Sequence, residues 1–267
     1  MTTERSRPVP PVGQVIRHAR QIDVMGTVVT LDVYADAAMP DATVSSLLDQ
    51  AGEALRAADD VFSTWKPDSP MSKIRRGEIT TSMAPPEVAE VLELCSTARS
   101  LSKGWFDPWS LPGGVDPTGF VKGWAAQRAL AALVHPSVTG AVVNAAGDIA
   151  CFGHHAARER FRFGIVNPFA RGELLCVVQG VGALATSGTY ERGLHLIDPH
   201  TGSSAAAVAS ASVSGTDLGL ADAFATALAV AGEEGLAMVD AVDGYGAMIV
   251  TLDGSVRRTS RFPMEAR

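Results

Sequence analysis

Several features that mark other classes of protein are missing from this chain of 267 residues. It has no basic block and its net charge is −7, so we expect neither a nucleic-acid surface nor a polybasic membrane patch. Its three cysteines, Cys95, Cys151 and Cys176, lie far apart in no CxxC pair, which argues against a zinc site and a disulfide framework. Each lies among apolar residues and is expected to be a core thiol.

Membrane and export signals are also missing. The chain has no run of about 18 apolar residues, and its first residues, MTTERSRPVPPVGQ, lack the apolar core of a signal peptide. We therefore expect a cytoplasmic protein with no membrane anchor. Walker A, GxGxxG, HExxH and GxSxG patterns are absent too, so the common nucleotide-binding and hydrolase signatures do not apply.

The chain does contain ample apolar sequence for a large core, with 46% apolar and 19% charged residues. Residues 1–13 are rich in proline and polar residues and are expected to form a disordered arm, whereas residues 14–267 are expected to form a single domain. Several consecutive strands are predicted between residues 140 and 213, without strict alternation with helices. This order favours an α+β fold in which mostly antiparallel sheets are flanked by helices.

The individual elements follow from hydrophobic periodicity and from Gly and Pro positions. The predicted helices cover residues 43–62, 86–101, 123–134, 218–232 and 234–242. The predicted strands cover residues 15–24, 27–34, 144–152, 161–166, 174–179, 194–197, 206–213 and 247–252.

The most informative pair of residues is Asp222 and Thr226, in the apolar run LGLADAFATALAVAG. Four residues apart on a helix, the two side chains share one face. A buried carboxylate is costly unless it is paired or holds a cation, and no Lys or Arg lies in this run. Two oxygen ligands on one face suit a hard cation such as Mg²⁺. The alternative is an Asp bonded to backbone amides and a Thr bonded to the carbonyl one turn back.

Three further positions carry polar groups near glycine-rich turns. Lys122, between Gly119 and Gly123 at the predicted start of a helix, suits a phosphate group, or is a solvated side chain beside an ordinary loop. His195 is a general base, a phosphate partner or a structural histidine. Asp148 either binds a ligand or caps local amides. Together these groups can support metal-assisted phosphoryl chemistry, in which Mg²⁺ neutralises a pyrophosphate, Lys122 binds it and His195 moves a proton.

Taken in order, these segments resemble the motifs of the ApbE-type flavin transferases, which are FAD:protein FMN transferases. The resemblance covers about residues 20–235, and the joint order of the motifs is far more specific than any one of them. The matching segments are MGT (25–27), FSTWKPDSPMSKI (62–74), GWFDP (104–108), DPTGFVKGWAAQRA (116–129), VNAAGDIACFG (143–153), ATSGTYER (185–192), HLIDPHTG (195–202) and LADAFATAL (220–228).

The resemblance implies a role for each matching residue. It implies that Mg²⁺ is held by Asp222, by Thr226 and by a backbone carbonyl at Gly119, and that His195 and Lys122 are catalytic. The FAD contacts that it implies are Met25, Trp65, Phe106, Asp107, Asp116 and Lys122.

The implied reaction splits the FAD pyrophosphate, transfers FMN to a Ser or Thr hydroxyl of a partner flavoprotein and releases AMP. An FAD pyrophosphatase that gives FMN and AMP, with water as the nucleophile, is the alternative enzyme. A flavin-binding protein without catalytic activity is the alternative from another class, although the retained Lys122, His195, Asp222 and Thr226 argue against it.

The chain also departs from the family pattern. Pro108 and Asp116 are only eight residues apart, whereas the family usually has tens of residues here, which form part of the edge of the flavin site. Residues 117–118 are Pro-Thr in place of Leu-Gly, and Gln127 stands at a usually acidic position. Trp65 replaces the usual Tyr, which keeps a stacking face but loses the hydroxyl.

Overall fold

A computed structural model of the protein describes residues 13–155, 159–170, 172–188, 196–204 and 207–265. The predicted arm therefore lies almost wholly outside the described residues. The helices are α1 (Asp41–Phe62), α2 (Pro70–Arg75), α3 (Pro86–Leu101), α4 (Thr118–Ala132), α5 (Leu218–Ala231) and α6 (Glu234–Asp240). The strands are β1 (Val15–Val24), β2 (Thr27–Asp36), β3 (Val138–Ala145), β4 (Asp148–Gly153), β5 (Arg162–Val166), β6 (Leu174–Gln179), β7 (Ala183–Gly188), β8 (Val208–Gly215), β9 (Gly246–Thr251) and β10 (Val256–Arg258).

Eight of these strands form one antiparallel sheet in the order β1-β2-β3-β4-β7-β8-β9-β10. Strands β5 and β6 form a separate antiparallel pair. The turn between β1 and β2 consists of Met25 and Gly26, with φ values of 52° and 68°. Positive φ at both positions matches the twist of a two-residue hairpin, which places Met25 at one end of the sheet.

Helices α1, α4 and α5 cover one face of the sheet and enclose the main core. Of the 14 residues of α5, 11 are buried, which explains its almost wholly apolar sequence. Helix α4 lies between α1 and α5 and is buried on most sides. The two central helices therefore have little solvent-facing surface, and their polar residues are enclosed between elements.

A smaller core lies on the other face of the sheet, under the β5–β6 pair, and includes Phe161, Ile165 and Phe262. Cys151 belongs to it, whereas Cys95 lies in the main core, and burial raises the pKa of each of these thiols to about 12. The expectation of core thiols is confirmed for these two, while Cys176 is partly buried. No helix within the described ranges could reach across a lipid bilayer as an apolar span.

The predicted α+β fold, with antiparallel sheet flanked by helices, is confirmed. Two local predictions were wrong. Residues 144–152 form two strands, because the chain reverses at Ala146 and Gly147, which have φ values of 54° and 97°. Helix α4 begins at Thr118, five residues before the predicted start, because its first turn carries no apolar periodicity that would separate it from the preceding loop. Most of the predicted strand 194–197 lies outside the described residues.

Helices α4 and α5 touch through their backbones at Gly123. A Cβ added there would lie 2.7 Å from the carbonyl carbon of Leu218 and 2.9 Å from Cα of Gly219. Contacts this short cannot be relieved by rotation of a side chain, so a methyl group would push the two helices apart. The absence of a side chain at this residue sets the spacing between the helices.

We predict that Gly123→Ala lowers the free energy of unfolding by about 1–3 kcal/mol, the usual cost of overpacking a core. Gly182→Ala is a matched control, because a Cβ there meets its nearest neighbour at an ordinary 3.5 Å and the backbone is not left-handed. Urea denaturation of both variants measures the difference. Equal stabilities would show that the close approach of α4 and α5 does not constrain the fold.

Candidate functional site

The candidate metal residues lie together where α4 meets α5. Oδ2 of Asp222 accepts a hydrogen bond from the backbone N–H of Gly123 at 3.3 Å. Thr226, one turn further along α5, lies opposite Gly119, since a Cβ built on Gly119 would be 3.4 Å from Oγ1 of Thr226. Ser187 on β7 adds another oxygen, with Oγ 3.5 Å from Oγ1 of Thr226. The sequence reasoning did not single out Ser187.

Burial differs sharply between these two side chains. Asp222 is only 4% exposed, whereas Thr226 is the one residue between 221 and 230 that is not buried. The alternative in which Asp222 is bonded to backbone amides is therefore partly correct. The amide that bonds it, that of Gly123, belongs to the neighbouring helix. Asp222 thus lies at the base of the cluster, and Thr226 lies at its opening.

The oxygen atoms of this cluster fit a hard cation. Among the described residues, no group of three His, Cys, Asp or Glu side chains could hold a metal ion. A site formed by Asp222, Thr226 and a backbone carbonyl at Gly119 would supply one carboxylate and two neutral oxygens. That donor set suits Mg²⁺, which usually keeps some of its water and binds substrate phosphates as well as one or two carboxylates.

Lys122 forms an ion pair that the sequence reasoning missed. It lies in the second turn of α4 rather than at the helix start, and its Nζ contacts Oδ2 of Asp148. The other oxygen of Asp148 accepts a hydrogen bond from the backbone N–H of Thr186 at 3.0 Å. Asp148 has a side chain only 1% exposed, whereas that of Lys122 is 26% exposed. The carboxylate therefore anchors a lysine whose side chain still reaches solvent.

Three candidate FAD residues lie on the loop before α4. Phe106 is buried, and its ring lies against Gly119, where an added Cβ would be 3.4 Å from Cε2. Asp107 accepts hydrogen bonds from Nε of Arg99 at 2.7 Å and from the backbone N–H of Trp109 at 3.0 Å. Asp116 pairs with Arg75 at 3.1 Å. Both carboxylates are thus held by arginines, and both shape the loop.

Two further candidate FAD residues, Met25 and Trp65, differ in burial. Met25, in the first hairpin turn, is partly buried and packs against the main core. Trp65 is 93% exposed, on a turn whose backbone is fixed by the hydroxyl of Ser63. The next residue, Lys66, pairs with Asp59 and Asp60, and those hydrogen bonds raise its pKa. The exposed indole offers a stacking face for a ring.

The predicted catalytic residue His195 lies outside the described residues. Another histidine of the same motif, His200, is described, and its ring centroid is 4.4 Å from that of Trp105. Asp198 accepts a hydrogen bond from the backbone N–H of His200 at 2.8 Å, which lowers the pKa of that carboxyl, and the hydroxyl of Thr201 acts in the same direction. The Asp-Pro-X-Thr-Gly motif is the sequence signal that could have identified this hydrogen-bonded turn.

Comparison with known proteins decides the family. Residues 25–113 and 110–249 match the ApbE family, and together these segments span most of the chain. The chain belongs to the ApbE family. The matched segments contain every residue assigned above to the candidate metal and FAD sites.

One relative of known activity matches about half of the chain in sequence. An FAD:protein FMN transferase of Rhodobacter capsulatus is 39% identical over 155 residues, which make up 54% of this chain and 29% of that protein. The chain therefore spans less than a third of that relative's length.

Solved ApbE structures show the same fold at low sequence identity. The ApbE protein of Thermotoga maritima is 22% identical, with a TM-score of 0.77 over 92% of this chain and 97% of that one. The flavin transferase ApbE of Vibrio cholerae is 20% identical, with a TM-score of 0.75 over 93% of this chain and 97% of that one. Both likenesses concern the fold.

We predict that Lys122→Met destabilises the protein by up to about 3–5 kcal/mol, because it leaves the buried Asp148 without its cationic partner. Partial exposure of Lys122 places the expected value at the lower end of that range. Adding Asp148→Asn should restore part of the loss, since the amide oxygen can still accept the hydrogen bond from Thr186. A double-mutant cycle from urea denaturation measures the coupling. Simple additivity of the two changes would contradict the pairing.

Proposed function

We propose that this protein is a Mg²⁺-dependent FAD:protein FMN transferase that moves FMN from FAD to a Ser or Thr hydroxyl of an acceptor flavoprotein and releases AMP. The observation that carries the proposal is the meeting of Gly119, Asp222 and Thr226 at the junction of α4 and α5. Family membership and the name of the Rhodobacter relative support it.

In the proposed reaction, the acceptor oxygen forms a bond to the phosphorus of the FMN phosphate while the bond from that phosphorus to the bridging oxygen breaks. AMP leaves with the bridging oxygen, and the hydroxyl proton passes to a base. Bound Mg²⁺ would neutralise charge on the pyrophosphate. Asp222, Thr226 and the Gly119 carbonyl would hold that ion, with Asp222 fixed in place by the amide of Gly123.

Lys122 is proposed to contact the pyrophosphate directly. A lysine amine is a flexible point charge, so a fixed partner improves its placement. Asp148 supplies that partner from a buried position on β4. Lys122 lies on the same helix as Gly119, one turn away, so that the metal and lysine contacts of the substrate share one rigid support.

The flavin nucleotide is proposed to bind between the loop before α4 and the turn that carries Trp65. Trp65 would stack on a ring, and Met25 and Phe106 would supply apolar contacts. Asp107 and Asp116, already bonded to arginines, would meet FAD through their remaining acceptor positions. His195 is proposed to be catalytic, as a base for the incoming hydroxyl or as a contact of the transferring phosphate.

Two expectations from the sequence remain predictions. One is the division into an arm of residues 1–13 and a single domain of residues 14–267. The other is the cytoplasmic location.

We predict that Asp222→Ala abolishes FMN transfer. The assay incubates the protein with FAD, Mg²⁺ and an acceptor that carries a Ser/Thr flavinylation motif, encoded beside its gene. Mass spectrometry then looks for an acceptor heavier by FMN less one water. Asp217→Asn is the matched control, because it removes a carboxylate from the same helix, where Asn caps the N-terminus equally well.

Two outcomes of that assay would overturn parts of the proposal. Full transfer by Asp222→Ala, with or without EDTA, would disprove the metal site. Release of FMN and AMP by the wild type, with no heavier acceptor, would instead identify an FAD pyrophosphatase.

We predict that Trp65→Ala weakens FAD binding by about 1–3 kcal/mol, the range measured for loss of a stacked aromatic ring. Because Trp65 is almost fully exposed, its loss should leave the free energy of unfolding nearly unchanged. Trp65→Phe keeps a stacking face and should recover most of the affinity. Titration calorimetry with FAD compares the three proteins, and equal affinities would remove Trp65 from the site.

A further inference from the structure

Arg75, the last residue of α2, binds the short loop that precedes α4. Its guanidinium donates hydrogen bonds to the backbone carbonyls of Pro112 at 3.0 Å, Gly114 at 3.2 Å and Val115 at 3.0 Å. The same group pairs with Oδ2 of Asp116 at 3.1 Å. Its side chain is only 18% exposed. One arginine thus contacts four residues of a loop that lies about 40 residues away in the sequence.

This loop, residues 109–116, contains no helix or strand. Gly113 and Gly114 have φ values of 82° and 100°. A Cβ on Gly113 would lie 3.0 Å from Nη2 of Arg75, so the loop closes directly over the guanidinium. A loop of this kind depends on the side chain that it surrounds, because its carbonyls have that side chain as a shared donor.

The loop leads directly into the candidate site. While Oδ2 of Asp116 pairs with Arg75, its Oδ1 accepts a hydrogen bond at 3.1 Å from the backbone N–H of Thr118, the first residue of α4. Gly119 follows at once, and Lys122 lies one turn further. The contacts therefore run from Arg75 through Asp116 to the helix turn that presents the proposed metal and phosphate contacts.

We propose that Arg75 is a positioning residue that sets the orientation of Asp116 and of the first turn of α4 relative to FAD. The inference rests on the proposed function, since it names the residue that places the groups of that site. Lysine cannot substitute for Arg75, because a single ammonium group lacks the planar fork that bonds several carbonyls and a carboxylate at once. Charge alone is therefore insufficient at this position.

The test compares Arg75→Lys with the wild type by AMP release in the presence of FAD, Mg²⁺ and the acceptor protein. We expect kcat to fall about 10–100-fold, the scale of a small misplacement of reacting groups, and to fall by a larger factor than the KM for FAD rises. Arg75→Gln, which removes the charge, should show the same loss. If Arg75→Lys fails to fold, Arg75→Gln carries the test.

Arg261→Lys is the matched control. Arg261 also bonds two backbone carbonyls, those of Asp240 and Val242, and pairs with Asp243, at the turn after α6. Its replacement should leave kcat within twofold of the wild-type value, although it removes the same kind of contacts.

Hydrogen exchange without FAD or metal separates the positioning role from the proposed function. The amides of residues 113–116, 118 and 119 should exchange faster in Arg75→Lys than in the wild type, and those of β5 and β6 should not change. Wild-type kcat and unchanged exchange in Arg75→Lys would overturn the inference. A different result would disprove the proposed function alone. In that case the wild type releases no AMP, but exchange in the loop is still faster in Arg75→Lys than in the wild type. Arg75 would then still be shown to fix the conformation of the loop.

Discussion

The close contact between α4 and α5 is the constraint on which the rest of the site depends. Gly123 lets the two backbones approach until Cβ at that position would overlap the start of α5. The same approach lets the amide of Gly123 reach Asp222, and it brings Gly119 opposite Thr226. A wider spacing between the helices would separate all these groups, whatever their identity.

Two buried carboxylates, those of Asp222 and Asp148, lie near the contact between α4 and α5 and determine where positive charge can bind. Asp222 and Asp148 are almost fully buried, and each accepts a hydrogen bond from a backbone amide of another element. Burial of a charge without compensation is costly, and hydrogen bonds or a nearby cation can compensate it. Asp148 has one in Lys122. For Asp222 we propose the metal ion.

Local sequence patterns predict much of the fold and which candidate residues share a helix face. The partners of those residues depend on contacts between distant parts of the chain, which such patterns do not record. Helical spacing identified Asp222 and Thr226 as neighbours on one face, and the structure places them so. Periodicity could not locate the start of α4, because its first turn is stabilised by Asp116 and Arg75 rather than by an apolar pattern. The partners of Lys122 and of Asp116 were equally invisible, since Asp148 and Arg75 are brought to them only by the order of the strands and by the packing of α2 on α1. Sequence patterns record which face a residue occupies but not what lies opposite.

We propose that α4 and α5 together hold a divalent cation. The most direct test of this claim is an anomalous difference map from crystals grown with Mn²⁺, which takes the same oxygen ligands as Mg²⁺. We predict a single strong peak bounded by the Gly119 carbonyl, Asp222 and Thr226, and its loss in crystals of Asp222→Ala. A peak elsewhere, or none at this junction at millimolar Mn²⁺ with FAD bound, would contradict the account.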